Sequence, residues 1–262
     1  MTDELASIRR PFGPDDLRPL LAATGIARTI LVQTRSSLEE SAEFLATAAN
    51  EPFVAGVVGW VNLRHPGVGD QIAELRAGPG GDRLVAIRHQ VHDEEDPAWL
   101  KRQDVRRGLS AVESAGLAYE LLVRTRELPV AVETVRARPG ARFVLDHIAK
   151  PPIASRRLDP WRARIRRLAE LPNVVCKLSG MVTEANRETW SVQDLRPYAD
   201  VVLEAFGTQR LMFGSDWPVC LLAASYERVV DTARELTAEL SEPEQEQIFG
   251  GTAAEFYGLA EA

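Results

Sequence analysis

The sequence predicts a parallel α/β barrel, and three observations support this fold class. The 262-residue chain alternates short apolar runs rich in β-branched residues with longer stretches of helical periodicity. The apolar runs begin about 30 residues apart, the length of one strand–helix–strand unit. They are apolar at nearly every position, which is typical of strands buried on both faces. We therefore expect a distorted (β/α)8 barrel of the TIM type, formed by one domain spanning residues 1–262.

Seven of the apolar runs are predicted to be strands. The turn at the end of the first of them is Gln33-Thr34-Arg35-Ser36, whereas a doubly wound sheet would favour a glycine-rich phosphate turn at this point. This difference favours the barrel. The predicted strands are residues 28–34, 53–62, 84–92, 117–124, 142–147, 173–179 and 210–216.

Five helices are predicted between these strands, with ends marked by glycine or by capping residues. The first helix ends before Gly25 and the third before Gly116. The predicted helices are residues 15–24, 37–50, 96–115, 159–171 and 221–240.

The strand count is one short of the eight that close a barrel of this type. The residues ahead of the first predicted strand contain only a charged leader and one amphipathic helix. We expect the missing first strand to belong before Met1, so that the barrel is open between the first and last predicted strands.

Composition excludes several classes of function. The net charge of -7 disfavours binding to nucleic acid, and no apolar run reaches the length of a membrane span. The two cysteines, Cys176 and Cys220, form no CxxC motif and are too few for a disulfide framework, which favours the cytoplasm. A small molecule is the expected partner, and the sequence does not indicate an oligomeric state.

Polar residues that end the predicted strands are the candidates for chemistry, because barrel enzymes place their sites at the carboxyl ends of strands. Three of the four histidines, His89, His92 and His147, lie at such ends. Asp216 ends the last strand, where a carboxylate can bind a metal or accept a proton from water. This set of side chains suits hydrolysis or proton transfer.

Cationic side chains complete the candidate set. Arg88 lies near the end of the third strand, and Lys177, one of three lysines in the chain, lies inside the sixth. An unpaired ammonium would be costly in a buried strand, which favours a functional role for Lys177. Other interpretations remain open: a histidine bonded to a loop carbonyl, Asp216 as a helix cap, Lys150 extending over the barrel rim, or Glu120 as a structural ion-pair partner.

Three motifs, read together and in this order, resemble those of the amidohydrolase superfamily. The resemblance covers nearly the whole chain and is greatest to the sugar-lactone hydrolase branch that includes fuconolactonases and rhamnonolactonases. The motifs are Asp146-His147-Ile148-Ala149-Lys150-Pro151, Cys176-Lys177-Leu178-Ser179-Gly180 and Met212-Phe213-Gly214-Ser215-Asp216-Trp217-Pro218.

The resemblance implies that His147 is the metal- or substrate-binding histidine and that Asp216 is the catalytic aspartate. It also implies a divalent metal, with zinc as the expected ion. Such proteins open with a strand ending in His-x-His, which this sequence lacks. His147 and Asp216 would then form an incomplete metal site, with weak or no metal binding, and Met1 would correspond to an internal methionine.

From these residues and this resemblance we expect a hydrolase that opens a small cyclic ester, the lactone of a sugar acid. Water would attack with help from Asp216 and His147 as catalytic residues. Arg88, His89, His92 and Lys177 would bind the substrate, and Arg88 would hold the product carboxylate. The alternatives are a metal-dependent decarboxylase of the same superfamily and an inactive, truncated barrel.

Overall fold

The computed structural model describes residues 8–259, which contain one sheet of seven parallel strands. Each strand is hydrogen-bonded to the next one along the chain, and the first and last are not paired with each other. The sheet therefore curls into an open barrel, as predicted. The strands are β1 (Thr29–Val32), β2 (Val54–Gly59), β3 (Leu84–His89), β4 (Ala118–Leu121), β5 (Phe143–Leu145), β6 (Val174–Leu178) and β7 (Leu211–Phe213).

Helices alternate with the strands, and the helix that ends at Tyr257 places this residue against the inner face of the sheet. Residues 8–259 contain α1 (Pro14–Thr24), α2 (Leu38–Asn50), α3 (Val68–Ala77), α4 (Gln103–Ser114), α5 (Leu128–Arg136), α6 (Trp161–Ala169), α7 (Met181–Glu184), α8 (Val192–Phe206), α9 (Tyr226–Leu236), α10 (Glu242–Glu246) and α11 (Thr252–Tyr257). No helix in this part of the chain combines the length and the apolar character that crossing a bilayer requires.

All seven predicted strands are present, although each is shorter than its apolar run. The predicted helix over residues 221–240 is wrong at both ends. Ser225 accepts a hydrogen bond from the Arg228 amide and begins α9 there, and the helix ends at Leu236. The predicted helix over 96–115 is also too long, because Trp99–Lys101 forms a separate 3-10 turn before α4.

The inner face of the sheet changes from apolar to charged towards the carboxyl ends of the strands. Nearer the amino ends of the strands, this inner face is a layer of buried apolar side chains in contact with Tyr257 of α11. Because side chains alternate along a strand, the residues two positions further on face the same interior. The apolar layer is Val58, Ala86, Ala118, Val144, Val175 and Met212, and the charged layer above it is Arg88, Glu120, Asp146 and Lys177.

The β1 end of the sheet is less well covered than its middle. All four residues of β1 are partly exposed, whereas all four residues of β4 are buried. Helix α1 packs against α9 beside this open edge, through a small buried cluster of Leu21, Tyr226 and Val230.

Candidate active site

His147 and Asp216 face each other at the carboxyl end of the barrel. His147 follows β5 and Asp216 follows β7, and the distance from His147 Nε2 to Asp216 Oδ1 is 3.6 Å. Both side chains are almost entirely buried, with 11% and 13% of their surface exposed. The structure thus brings together the two residues that the sequence predicted to be catalytic.

The backbone that carries His147 is left-handed over four consecutive residues. His147, Ile148, Ala149 and Lys150 have φ angles of 50°, 46°, 60° and 47°. Non-glycine residues rarely adopt this conformation, because the β-carbon approaches the following carbonyl, at a cost of about 1–2 kcal/mol each. We call residues 147–150 the left-handed turn. Strain of this kind persists where surrounding contacts fix it, often at functional sites.

Two hydrogen bonds hold the left-handed turn in place. The Lys150 amide donates to the His147 carbonyl at 2.8 Å, which closes the turn. The indole N–H of Trp161, at the start of α6, donates to the Ile148 carbonyl at 2.7 Å. Trp161 is fully buried, so this contact is shielded from water.

The His147 ring is fixed by the loop that follows β6. Its Nδ1 lies 2.8 Å from the Ser179 hydroxyl, and Gly180 packs directly against the ring. Burial lowers the pKa of His147, and the Asp216 and Asp146 carboxylates oppose this effect without overcoming it. The imidazole is therefore neutral near pH 7.

Beneath this pair, four charged side chains form a buried network. Lys177 Nζ lies 2.6 Å from Glu120 Oε2 and 2.8 Å from Asp146 Oδ1. Arg88 Nη1 lies 2.9 Å from Asp146 Oδ2, and its Nη2 donates to the Gln33 carbonyl. The network contains two cations and two carboxylates, so its charges balance.

The network keeps both of its cations charged. Burial alone would lower the pKa of Lys177, but Asp146 and Glu120 raise it above its ordinary value. Burial would likewise raise the pKa of Asp146, yet Lys177 and Arg88 hold it well below its usual range. Lys177 and Arg88 retain 8% and 9% of their surface exposed, so both approach the barrel mouth as fixed positive charges.

The other two predicted substrate-binding residues have different surroundings. His89 receives the Trp60 indole N–H at Nδ1, contacts Glu94 through Nε2 at 2.7 Å and stacks on Trp99. Both of its ring nitrogens are therefore engaged within the chain. His92 lies in a 3-10 turn after β3, with Nε2 3.3 Å from Asp93.

Two side chains that the sequence left open have paired roles. Glu120 is an ion-pair partner of Lys177, as described above. Lys150 donates to Glu184 Oε1 at 2.8 Å, and only 14% of its side chain is exposed, so it does not extend over the rim into solvent.

His147 and Asp216 offer donor atoms of the types that zinc binds. Within residues 8–259, no group of three or more His, Cys, Asp and Glu side chains lies close enough to hold a metal ion. Glu120 and His89 also carry donor atoms of these types, but they are engaged with Lys177 and with Glu94. Because zinc sites use three or four protein ligands, this pair alone does not fit a tight zinc site.

The sequence is similar to a known protein family and to individual enzymes. The family described as amidohydrolase matches residues 1–259. An L-fucono-1,5-lactonase of Burkholderia multivorans is 44% identical, over 97% of this chain and 88% of that protein. An L-fucono-1,5-lactonase of Burkholderia ambifaria is 38% identical over the same shares.

A solved structure of a similar protein has nearly the same fold. An amidohydrolase from Burkholderia multivorans with bound zinc has a TM-score of 0.94 and 40% sequence identity, and the match covers 99% of this chain and 93% of that one. The family match over nearly the full sequence and the identity of its relatives show that this chain belongs to the amidohydrolase family.

Proposed function

We propose that this protein hydrolyses the lactone of a sugar acid. The observation that carries the proposal is the convergence of His147 and Asp216, 3.6 Å apart, above two fixed cations. The relatives named L-fucono-1,5-lactonase support this substrate class.

In the proposed reaction, a water molecule attacks the lactone carbonyl carbon while the Asp216 carboxylate accepts its proton. When His147 Nδ1 accepts a hydrogen bond from the Ser179 hydroxyl, the ring proton lies on Nε2, where it hydrogen-bonds to the carbonyl oxygen and stabilises the developing negative charge without leaving the imidazole. As the carbonyl re-forms, the bond to the lactone ring oxygen breaks and this oxygen takes the proton from Asp216. The product is an open hydroxy acid, which loses its carboxyl proton to solvent and is released as its carboxylate.

The developing negative charge is stabilised by the cations beneath the site. Lys177 and Arg88 are already charged and held by Asp146, so they need little rearrangement during the reaction. Arg88 would also hold the product carboxylate. We further propose that His89 and His92 line the substrate side of the mouth.

We also propose that divalent metal binds weakly to His147 and Asp216, because two donors are fewer than a tight zinc site uses. The protein is proposed to work in the cytoplasm, a compartment that suits its two buried, unpaired cysteines, Cys176 and Cys220.

A lactone assay tests this function. Purified protein is given a panel of aldonolactones with a pH indicator, with and without added zinc, and acid release is expected without release of carbon dioxide. Asp216→Asn should lose at least about 100-fold in kcat, because an amide cannot accept the proton from water. Asp231→Asn is the control, since this side chain is 62% exposed and lies on α9.

Equal turnover by Asp216→Asn and the unsubstituted protein would contradict the assigned role of Asp216. Failure of the whole panel under both zinc conditions would count against the lactone substrate class. A large gain on adding zinc would show that metal binding is stronger than proposed.

A further inference from the structure

Tyr257 contacts the buried network although it belongs to a helix and not to the sheet. It is the last residue of α11, a helix that follows all seven strands, and it is 6% exposed. Its ring packs against the apolar layer of the barrel interior, and its hydroxyl donates a hydrogen bond to Glu120 Oε1. The C-terminal helix thus contributes one polar group to the interior of the barrel.

The hydrogen bond from Tyr257 ends a continuous chain of polar contacts. Glu120 accepts from Tyr257 with one oxygen and from Lys177 with the other, at 2.6 Å. Lys177 also contacts Asp146, which in turn pairs with Arg88. Asp146 immediately precedes His147, so the chain runs from α11 to the residues beneath the reaction site.

We infer that Tyr257 is a positioning residue of the active site: its phenol fixes the Glu120 carboxylate, which holds the Lys177 ammonium beneath His147 and Asp216. The link to turnover rests on the proposed lactonase function. The link from Tyr257 to Lys177 rests on the contacts alone.

The charge on Glu120 depends on its few neighbours. The groups that face it are Tyr257, Lys177, Asp146 and Arg88. Burial and the Asp146 charge raise the pKa of Glu120, whereas Lys177 and Arg88 act in the opposite direction. A hydrogen bond donated to a carboxylate favours its charged form, so the phenol supports the ionised state.

Loss of the phenol should therefore be felt at Lys177. With one donor fewer, the Glu120 carboxylate is held less firmly at its distance of 2.6 Å from the Lys177 ammonium, and the attraction between the two charges weakens. The pKa of Lys177 should fall, because burial beside a weaker partner disfavours the ammonium. A purely space-filling role for Tyr257 would leave this pKa unchanged.

The test compares two tyrosine variants that lose the same atom. Tyr257→Phe removes a hydroxyl bonded to Glu120, whereas Tyr198→Phe removes a buried hydroxyl that has no partner among the described residues. The chain has only three lysines, so carbon-13 labelling of lysine side chains gives three signals to follow by NMR through a pH titration. Lys177→Arg assigns the signal of Lys177.

In the unsubstituted protein and in Tyr198→Phe, the Lys177 signal should titrate with the same midpoint, above the ordinary range of a lysine. In Tyr257→Phe its midpoint should fall by about one pH unit, the lower end of the effect that a nearby opposite charge has on a pKa. Glu120→Gln removes the carboxylate itself and should lower the midpoint further. This second variant keeps the test informative if Tyr257→Phe folds poorly.

A Lys177 titration in Tyr257→Phe that coincides with that of the unsubstituted protein would overturn the inference, and an unchanged titration in Glu120→Gln would overturn the link between Glu120 and Lys177. On the lactone that the protein hydrolyses, kcat/KM should fall about tenfold in Tyr257→Phe and stay within twofold in Tyr198→Phe. A shifted Lys177 midpoint in a protein that hydrolyses no lactone would reject the proposed function and leave the link between Tyr257 and Lys177 standing.

Discussion

The space beside the candidate catalytic imidazole is limited by a single glycine. A β-carbon added to Gly180 would lie 2.8 Å from both Cβ and Cγ of His147, closer than such atoms can approach. Gly180 also has a φ angle of 64°, which glycine adopts without strain. Two separate requirements therefore exclude a side chain at this position, and only one of them concerns His147.

Alanine substitution can separate these two requirements. Gly180→Ala should displace the His147 ring and lower kcat at least about tenfold, in addition to a backbone cost of about 1–2 kcal/mol. Gly25→Ala is matched, because Gly25 has nearly the same backbone angles, φ 71° and ψ 18°, and no atom within 4 Å of an added β-carbon. Lactone kinetics and denaturant unfolding measure the two effects.

Equal losses of stability with a loss of kcat only in Gly180→Ala would show that the glycine serves the site. If both variants keep full kcat, the His147 ring tolerates displacement and the proposed geometry is wrong.

The convergence of His147 and Asp216 could be predicted from the sequence because a polar residue at the end of an apolar run carries positional information. The same signal selected His89, and its contacts with Trp60 and Glu94 could not be predicted. These partners come from other segments, so no local pattern shows them. Tyr257 gave no signal at all, since its contact with Glu120 spans 137 residues.

At the scale of elements, the left-handed turn is costly in isolation and must be stabilised by its neighbours. Four non-glycine residues in this conformation cost roughly 4–8 kcal/mol before any compensation. All four side chains are buried or nearly so, and the following Pro151-Pro152 prevents a regular helix from continuing. Trp161 adds an indole N–H to a carbonyl that water cannot reach.

Removing that indole donor should destabilise the turn. Trp161→Phe leaves the Ile148 carbonyl without this partner, at an expected cost of about 1–3 kcal/mol in the free energy of unfolding beyond the lost ring volume. Trp99→Phe is the matched control, because the Trp99 indole N–H is buried and has no partner within residues 8–259. Denaturant unfolding of both variants gives the difference.

A similar loss of stability in Trp161→Phe and Trp99→Phe would show that the bond to Ile148 contributes little. A further loss of kcat confined to Trp161→Phe is expected, since the turn carries His147.

Strands were easier to predict than helices in this chain, for a physical reason. A strand buried on both faces is apolar at nearly every position, as in β2 and β5, and such a run stands out. Helices α3, α5 and α8 were missed, as were the short helices α7, α10 and α11. Pro197 lies inside α8, where proline ordinarily argues against a helix, whereas Pro129 lies in the first turn of α5, where its missing N–H would have no intrahelical partner.

At the scale of the whole molecule, the seven strands form a row with two unequal ends. Strand β1 is partly exposed at every residue, while β7 has two of its three residues buried. Helix α1 lies at this open edge and packs mainly on α9. The predicted open barrel is thus a sheet in which the first and last strands have one strand neighbour each.

An open row of strands differs from a closed ring in having a place where local opening can begin. The Thr29 and Gln33 amides donate to the carbonyls of Phe53 and Val58, so by alternation the Ile30 and Val32 amides point away from β2. Their deuterium exchange should be the fastest in the sheet, at least about 100-fold faster than at Tyr119, whose amide is bonded inside it. Equal protection of Ile30 and Tyr119 would mean that this edge is covered in solution. If the Ile30 and Val32 amides exchange faster, local unfolding of the sheet begins at β1. Strand β5, which leads to His147, and strand β6, which carries Lys177, then unfold late.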